Sequence, residues 1–543
     1  MSAFTLTILN AGTEMDLHWE IVQVDVYHAL NRIPIAEIVL ADGSLASQEF
    51  TISNDDFFKP GEEIEIKIRW EEEDDATLFK GLVTKQKVEA RQGGFYLTIE
   101  LADAAIKMTR QRAHIIHLEK TDSDVFSELI SKHGLTDNSG DATTPTYPEL
   151  VQYYTSDWDF MLTRAEANAM LIKVKEGGIS WFPVSQSGSP EETLELGISE
   201  INSLEIEADG LSQLAEVTAS SWDPVNQALF EAASGEDPGI NPGNLDAADL
   251  ATKLGGDLCE LRSTVLQDAD ELQAWANGKL SRSRLAKLVG RITVEGKATY
   301  EAGSFIEVAG VSDRFNDTVL LTGVRHRVSQ EGWDTDLQIG LRNQPYTYIH
   351  PESTEYPAAA LLPGVRGLQI GVISDFEEDP NGELRVRVSM PGLGEDEGIV
   401  WARLLSPDAG VGRGFFFRPE VGDEVILGFL NDDPRQAIII GSVYGSVNTP
   451  PVETVDEDNF LKGIYSREGI SIQMDDEKKI LTLLTSEGRK IVLDEDAGSL
   501  SLGDDHGNEI IMDSNGIQIK SGADINLEAS GNIVIKGSEV DVQ

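Results

Sequence analysis

The chain has 543 residues, of which 40% are hydrophobic, and its 43 lysines and arginines against 94 aspartates and glutamates give a net charge of −51 at pH 7. This length suggests three or four domains, each large enough to bury a core. The acidic charge makes nucleic acid and anionic membrane surfaces poor partners, because carboxylates repel phosphate and few cations are present to release its counterions.

The single cysteine, Cys259, excludes a disulfide within the chain and a cysteine-rich zinc site. The first residues contain no basic segment followed by a long apolar run, and no apolar stretch of about 18 residues follows. We therefore expect a protein that is made in the cytoplasm without a signal peptide and stays soluble.

Residues 1 to about 110 are β-rich, with alternating or continuous apolar segments separated by Gly, Asp and Pro. Two amphipathic segments then predict helices, one from Asp122 to His133 and one that begins at Asp157 or Asp159. Together they indicate an α/β subdomain inserted at about residues 111–210.

Further along, the stretch from Ser234 to Gly256 is rich in Gly, Pro, Asn and Asp and predicts a long loop, whereas Asp268 to about Leu288 predicts a helix. Strands resume up to Leu341. We interpret residues 1–345 as two β-barrels, the second of which follows the insertion. The predicted fold class is therefore mainly β with an inserted α/β subdomain.

Pro345, Pro351, Pro357 and Pro363 predict a linker at residues 346–363. Residues 364–450 carry five short strands joined by Gly and Pro turns, which is typical of a small Greek-key barrel of the OB type. OB barrels often bind oligonucleotides, but residues 364–444 contain 7 arginines, no lysine and 14 acidic residues. Because the segment has no basic groove to bind a nucleic-acid strand, we expect a structural barrel. A Pro- and acid-rich connector follows at residues 451–468.

Residues 469–543 contain a repeat in which two apolar residues, spaced two apart, recur every seven to 11 residues. This spacing places both side chains of a pair on one face of a short strand, and turn residues such as Asn515-Gly516 separate the units. The pairs are Ile470 and Ile472, Leu481 and Leu483, Ile491 and Leu493, Leu500 and Leu502, Ile510 and Met512, Ile517 and Ile519, Ile525 and Leu527, Ile533 and Ile535, and Val540 and Val542.

One such chain forms a narrow ribbon with an apolar face and open edges, which is unstable alone in water. Three copies around a common axis would turn the apolar faces inward and pair the edges between chains. We therefore predict a stiff, intertwined homotrimeric β-prism, with the first eight pairs as its core. The alternative is an ordinary β-meander packed on the barrel. The trimer is favoured over it because nine regular units are too long for one flat side of a small domain.

Several short motifs follow one another in a fixed order. In the first 345 residues they are Leu30-Asn31-Arg32-Ile33-Pro34-Ile35-Ala36, Pro60-Gly61-Glu62, Phe79-Lys80-Gly81-Leu82-Val83, Tyr153, Ser156-Asp157, Asp159-Phe160, Arg164, and Thr322-Gly323-Val324-Arg325-His326 with Trp333 and Thr335. In the OB segment they are Trp401, Arg403, Pro407, Ala409-Gly410, Gly414, Pro419, Gly422, Glu424-Val425, Asp433-Pro434, Gly441 and Val443-Tyr444.

In this order, and followed by the repeat, these motifs resemble the VgrG-like spike proteins of contractile injection systems over essentially the whole chain. That family fuses the equivalents of a phage baseplate hub and its puncturing needle. Two positions depart from the family pattern: Thr155 stands where Glu is usual, and Ala302 stands where Pro is frequent.

The resemblance implies a homotrimer whose hub halves form a pseudo-six-fold ring, which matches the three-fold needle to a six-fold tail tube. It implies a central spike that connects the inner tube to the tip and punctures the target envelope. The implied contractile injection system is of one of three kinds: extracellular, phage-tail-like or type VI. Tail-tube and baseplate proteins are the implied partners, effector cargo is a further candidate, and the target membrane is met only by mechanical puncture as the particle expels the spike.

Two alternatives are a spike-associated cell-wall hydrolase of the muramidase type and a carbohydrate-binding tail protein. A hydrolase needs on the order of a hundred residues for its own core, which neither Tyr444–Phe460 nor the end of the repeat provides. An aromatic content of 7% does not favour an exposed platform for sugars, and we interpret Trp275 and Trp401 as packed residues. We expect no enzyme activity.

The remaining short motifs agree with a structural role. His114 and His117 lack the Glu between them that a zinc protease helix carries, and the pairs Gly278-Lys279 and Gly296-Lys297 do not complete a phosphate-binding loop. We therefore expect no catalytic residue, no metal and no cofactor in this chain.

The end of the repeat suggests a cap. Some phage needles hold a metal at the apex through a His-x-His pattern, whereas the histidine of the repeat, His506, lies well before its end. The resemblance therefore implies that a separate tip protein of the PAAR type covers the blunt end formed by Val540, Val542 and Gln543, and that this cap would bring any metal.

Overall fold

The computed structural model describes residues 4–543 except 45–48, 72, 92–93, 186–187, 265–266, 354–362, 394–397 and 453–456. The chain divides into two compact units, residues 1–355 and 356–543. Residues 354–362 of the predicted linker 346–363, and residues 453–456 of the predicted connector 451–468, lie outside the described residues.

The first part of the first unit consists of antiparallel strands around one hydrophobic core. Ile64, Ile66 and Ile68 alternate with charged residues and are fully buried, because successive side chains of a strand point to opposite faces. The elements are β1 (Phe4–Asn10), β2 (Thr13–Glu14), β3 (Ile21–Ala29), β4 (Ile35–Ala41), α1 (Thr51–Asn54), β5 (Glu63–Trp70), β6 (Ala76–Arg91) and β7 (Gly94–Ala102).

An α/β part follows, with a core of its own between two helices and two small sheets. Its elements are β8 (Arg112–Thr121), α2 (Asp122–Lys132), β9 (Thr136–Gly140), β10 (Thr146–Ser156), α3 (Asp157–Ala167), β11 (Met170–Lys175) and β12 (Gly178–Pro183). The helix α3 begins after Ser156, whose hydroxyl accepts a hydrogen bond from the Asp159 backbone N–H at 3.1 Å.

A buried ion pair joins the two helices of the α/β part. The guanidinium of Arg164 on α3 donates to both carboxylate oxygens of Asp122 on α2, at 2.8 and 2.9 Å, and to the Tyr147 hydroxyl at 2.6 Å. Asn168 donates to the same carboxylate at 2.7 Å. Asp122 is fully buried, so these donors replace the water that a charged carboxylate requires.

The second half of the first unit returns to the opening strands. Its elements are β13 (Thr193–Glu195), β14 (Ile201–Ala208), β15 (Glu216–Asp223), β16 (Ala228–Ser234), α4 (Ala247–Leu254), β17 (Leu258–Ser263), α5 (Ala269–Leu285), β18 (Leu288–Glu295), β19 (Phe305–Ala309), β20 (Asp317–Ser329), β21 (Gly332–Ile339) and α6 (Tyr346–Ile349). The strands predicted for two separate barrels are hydrogen-bonded into one 13-stranded sheet, in which β20 pairs with β3. There are nevertheless two separate cores, and the core of the opening strands also includes Val328 and Trp333 of the second half.

Two details differ from the sequence prediction. The loop predicted from Ser234 to Gly256 contains helix α4, which begins after Asp246, whose carboxylate accepts from the Asp249 N–H at 2.9 Å, and ends at Gly255 with a φ of +84°. The strand β14 lies within the range 111–210 assigned to the α/β part, yet it pairs with β18 in the large sheet.

A fully buried histidine lies where the two halves of the sheet meet. The Nδ1 atom of His326 on β20 is 2.9 Å from the Thr335 hydroxyl, and its ring packs against Trp333. Burial in this apolar surrounding lowers the pKa of His326 to about 3, and the nearby His28 imidazole adds to the effect. The imidazole is therefore neutral in the folded protein.

The second unit begins with a closed five-stranded barrel, in the order β22-β23-β24-β28-β27. Its elements are β22 (Gln369–Asp375), β23 (Val386–Ser389), β24 (Ile399–Leu404), β25 (Ala409–Gly410), β26 (Arg413–Gly414), β27 (Glu424–Phe429) and β28 (Ala437–Ser442). The predictions of a mainly β fold and of a small OB-type barrel are thereby confirmed.

A seven-stranded antiparallel sheet follows the barrel. Its strands are β29 (Leu461–Tyr465), β30 (Ser471–Asp475), β31 (Ile480–Leu484), β32 (Lys490–Asp494), β33 (Ser499–Gly503), β34 (Glu509–Asp513) and β35 (Gly516–Lys520). Within the described ranges, none of the helices of the chain has the length and apolar character that crossing a bilayer requires.

We expect Asp122→Ala to lower the free energy of unfolding by about 3–5 kcal/mol, because it leaves the Arg164 guanidinium buried without its carboxylate. Glu128→Ala, which removes an exposed ion pair with Lys120 from the same part, is the matched control and should cost about 1 kcal/mol or less. Urea unfolding followed by circular dichroism measures both. Equal losses for the two variants would contradict the structural role of the buried pair.

We expect the stability of the first unit to depend on pH through His326. The unfolded imidazole binds a proton below about pH 6.5, whereas the folded one does so only near pH 3, so stability falls as the pH falls across this window. Between about pH 4 and 6, His326→Gln should reduce the slope of unfolding free energy against pH by about 1.4 kcal/mol per pH unit. An unchanged slope would show that His326 is already protonated in the fold.

Candidate functional site

The candidate functional site is the apolar face of the sheet β29–β35. The hydrogen-bonded register aligns the predicted pairs of neighbouring strands directly across from one another, which produces two continuous apolar columns. One column consists of Ile464, Ile472, Leu483, Ile491, Leu502, Ile510 and Ile519. The other consists of Met474, Leu481, Leu493, Leu500, Met512 and Ile517.

Local turn chemistry fixes this register. An aspartate closes a strand and its carboxylate accepts a hydrogen bond from a backbone N–H of the following turn: Asp475 from Lys478 at 3.0 Å, and Asp494 from Ala497 at 2.8 Å. Gly498 has a φ of +59°, a conformation that suits glycine. Five-residue strands and short turns of this kind produce the repeat of about ten residues seen in the sequence.

The beginning of the sheet differs from the prediction in two respects. Ile470 precedes β30, so the first pair on the apolar face is Ile472 and Met474 rather than Ile470 and Ile472. One further strand, β29, lies within the predicted connector 451–468 and places Ile464 beside Ile472. Lys462 stands opposite Met474, so β29 lacks the apolar pair that marks the other strands of the sheet.

No second layer covers the apolar face in the part of the chain that the structure describes. Leu483, Ile491 and Leu502 are each 37% exposed, and Leu493 is 43% exposed. None of the buried hydrophobic clusters found among the described residues includes a residue of this sheet. A row of large apolar side chains on one open face is an unusual surface for a soluble protein and marks an association site.

The predicted pairs after β35 do not form strands. Residues 521–543 have no strand in the described chain, and Ile525, Leu527, Ile533, Ile535, Val540 and Val542 are between 51% and 88% exposed. Short strands are stable only when they are hydrogen-bonded to neighbouring strands. Within this chain, β35 is the edge strand to which residues 521–543 could pair. The three predicted pairs therefore lie without a partner.

The histidines considered for a metal do not converge. His114 and His117 lie three residues apart on a strand, so their side chains point to opposite faces of the ribbon formed by β8 and β10. His117 is buried, with Nε2 at 3.5 Å from the Gln152 side-chain oxygen, whereas His114 is exposed. Across the described ranges, no three His, Cys, Asp or Glu side chains come together to hold a metal ion.

The two Gly-Lys pairs belong to packed regions rather than to phosphate loops. Gly278 lies within α5, and a Cβ atom there would be 2.6 Å from the Glu166 carbonyl oxygen of the neighbouring chain segment. Gly296 follows β18, and a Cβ atom there would overlap the Trp333 ring at 2.1 Å. Both glycines thus allow close packing.

The two tryptophans have different surroundings. Trp275 on α5 packs against the small core that also holds Val217 and Leu272. Trp401 on β24 is not part of the barrel core, and the guanidinium groups of Arg385 and Arg387 lie 5.7 and 6.0 Å from its ring centre. The interpretation as a packed residue therefore holds for Trp275, whereas Trp401 lies under two cations on the outside of the barrel.

A cavity of about 1300 Å³ lies against the large sheet of the first unit. Its lining combines Asp25 on β3 with Arg325 on β20, which are joined by an ion pair of 2.6 Å, and Arg291 on β18. The sequence does not reveal this cavity, because Asp25 and Arg325 are 300 positions apart and converge only through the pairing of β3 with β20.

Two family models match the chain. The model described as the Alg8 N-terminal domain matches residues 1–330. The model described as the Type VI secretion system/phage-baseplate injector OB domain matches residues 369–444. The second match coincides with the closed barrel, which extends from Gln369 to Ser442.

Curated relatives include two Type VI secretion system spike proteins of Pseudomonas aeruginosa. VgrG4b is 29% identical over 198 residues, which cover 32% of this chain and 24% of the relative. VgrG5 is 27% identical over 271 residues, which cover 45% of this chain and 32% of the relative. The matches thus span a third or less of these relatives' own length. The resemblance to VgrG-like spike proteins is confirmed.

Among solved structures, the tail protein of Neisseria meningitidis MC58 is similar, with 18% sequence identity and a TM-score of 0.46. The similarity covers 62% of this chain and 97% of that protein.

We expect Leu493→Asp to reduce self-association of the chain by at least tenfold, because it places a carboxylate in the centre of the apolar face. The neighbouring Val492 points to the opposite face of the same strand, so Val492→Asp is the matched control and should associate like the unchanged chain. Sedimentation velocity over a concentration series measures the difference. If both variants associate alike, the apolar face is not the contact surface.

Proposed function

Because this chain belongs to the family of the Alg8 N-terminal domain and carries a Type VI secretion system/phage-baseplate injector OB domain, we propose that it is the central spike of a contractile injection system. The observation that carries this proposal is the uncovered apolar face of β29–β35. A spike must be a rigid shaft, and a single-layer sheet becomes one only when other chains cover it.

The spike is proposed to be a homotrimer. In the trimer, the two apolar columns of each chain face the common axis and form a needle core from the pairs Leu481 and Leu483 through Ile533 and Ile535, together with Ile472 and Met474. Covering the exposed two-fifths of each large side chain contributes roughly 1 kcal/mol per residue. Two sheets face to face would also cover the columns, so the number three rests on the resemblance to the spike family.

Residues 521–543 are proposed to become strands in the trimer. Their apolar pairs continue the pattern of the sheet, and two neighbouring chains would supply the strand edges that one chain lacks. This arrangement locks each strand between chains, so that local unfolding requires separation of the copies. Resistance to local unfolding is the property that a puncturing shaft needs.

The proposed role is mechanical and non-enzymatic. The barrel ends at Ser442 and the sheet begins at Leu461, so the residues between them are too few for the core of a hydrolase, which takes on the order of a hundred residues. Contraction of a sheath would push the tube against the first unit, and the barrel and needle would pass the force to a small area of the target envelope.

The proposed partners are tail-tube and baseplate proteins at the first unit and a tip protein of the PAAR type at the end of the needle. Val540, Val542 and Gln543 would form the contact with the tip protein. Val542 is 88% exposed, which leaves an apolar side chain available to a cap. The assembled particle would expel the spike when it fires.

We expect the purified chain to have three times its own mass of 59.3 kDa. Multi-angle light scattering at micromolar concentration measures this mass and separates a trimer from a dimer. Deletion of residues 461–543 should yield a monomer, because it removes the apolar face while leaving the cores of the first unit and of the barrel intact.

A full-length chain that remains monomeric at micromolar concentration would contradict the proposed spike. Circular dichroism of the shortened chain is the control for folding, since a loss of strand signal beyond that of the deleted sheet would mean that the deletion disturbs the remaining domains.

A further inference from the structure

An exposed aromatic segment lies on the OB barrel, in the connection between β24 and β27. Phe415, Phe416 and Phe417, named here the phenylalanine segment, are 56%, 77% and 63% exposed. None of the three belongs to the barrel core. Successive side chains of an extended segment point in opposite directions, so three exposed neighbours mean that the barrel covers neither side of it.

The base of the loop holds the phenylalanine segment in place. The backbone N–H of Phe415 donates to the Asp408 carbonyl at 3.0 Å, and the Ser406 hydroxyl donates to the Phe415 carbonyl at 2.6 Å. Gly414 has a φ of +127°, and a Cβ atom there would be 2.1 Å from the Asp408 carbonyl oxygen, so glycine is required at this turn. The rings are therefore presented by a fixed backbone.

The residues that follow the phenylalanine segment contact the barrel and the first turn of the seven-stranded sheet. The guanidinium of Arg418 lies 4.2 Å from the ring centre of Phe376. Two residues later, the Glu420 carboxylate accepts from Arg467, which lies between β29 and β30, at 2.5 Å. The chain that leaves the phenylalanine segment therefore contacts the first turn of the seven-stranded sheet, three residues after Phe417.

We infer that the phenylalanine segment packs against a second copy of this chain and extends the interface of the needle onto the barrel. This inference rests on the proposed function, because it requires the copies that form the needle. Threefold symmetry places the loops of all copies at one height along the axis, at the point where the sheets of the copies begin to meet.

Charge supports a second copy as the occupant. Copies of a chain with a net charge of −51 repel one another, so contacts between them must be made where carboxylates are absent. Residues 409–417 contain one charged residue, Arg413, and its guanidinium pairs with Asp408 at 2.7 Å. A basic partner would be attracted to the acidic surface elsewhere, whereas three uncharged rings fit an apolar surface such as the same rings of a neighbouring copy.

The first test is crosslinking in full-length chains in which the single cysteine is removed by Cys259→Ser. Phe416→Cys in this background should form disulfide-linked dimers under mild oxidation in more than half of the chains. Leu17→Cys, at a position of the first unit that is 86% exposed, is the matched control and should yield less than a tenth as much. Equal yields for the two variants would overturn the inference.

The second test is the concentration at which the assembly dissociates. The triple variant Phe415→Ser, Phe416→Ser and Phe417→Ser should dissociate at a concentration at least tenfold higher, measured by sedimentation equilibrium. Its far-ultraviolet circular dichroism spectrum should be unchanged, because the rings lie outside the barrel core. A trimer of unchanged affinity that loses binding to vesicles of phosphatidylcholine and phosphatidylglycerol would overturn the inference and assign the rings to a membrane.

These outcomes separate the inference from the proposed function. If the unchanged chain is a monomer, both fail. If it is a trimer whose dissociation concentration is unchanged when the rings are removed, the inference fails alone and the spike proposal stands.

Discussion

The structure depends above all on one constraint: large apolar side chains must be removed from water, and the sheet β29–β35 cannot do this by itself. Its register gathers the apolar residues into two columns on one face, and no layer of the described chain covers them. In the first unit and in the barrel, by contrast, strands enclose their own cores. The domains with closed cores thus bury their own apolar residues, whereas the sheet leaves one apolar face open to association.

The motifs that reveal the family are explained by packing within the first unit. Ser156 begins helix α3, Arg164 fixes α3 to α2 through Asp122, and His326 lies buried between the two halves of the large sheet. Arg164 and Asp122 are 42 residues apart, and the strand of His326 pairs with β3 from the beginning of the chain. In the proposed spike, such contacts would matter because they join the two halves and the α/β part into one unit.

The acidic charge shapes how this protein can associate. With 94 acidic residues, most of the surface repels another copy, so contacts between copies concentrate on uncharged surfaces. The two apolar columns and the phenylalanine segment are surfaces of this kind. In the proposed particle, the same charge would favour partners with basic surfaces on the exterior of the assembly.

The elements whose signals are local follow from the order of the amino acids. The alternation of apolar residues predicted the strands, the pairs of the repeat predicted one apolar face, and turn residues such as Asp475 and Asp494 set its period. The pairing of β20 with β3, the cavity beside it and the pair of Asp122 with Arg164 emerge only in the folded chain. Asp122 and Arg164 are 42 residues apart, and Asp25 and Arg325 are 300 residues apart. Sequence periodicity specifies which face of a strand is apolar, but not which strand lies next to it.

For the same reason, the prediction from sequence placed the first pair at Ile470 and missed β29. Register is a property of two strands together, and one strand alone does not contain it.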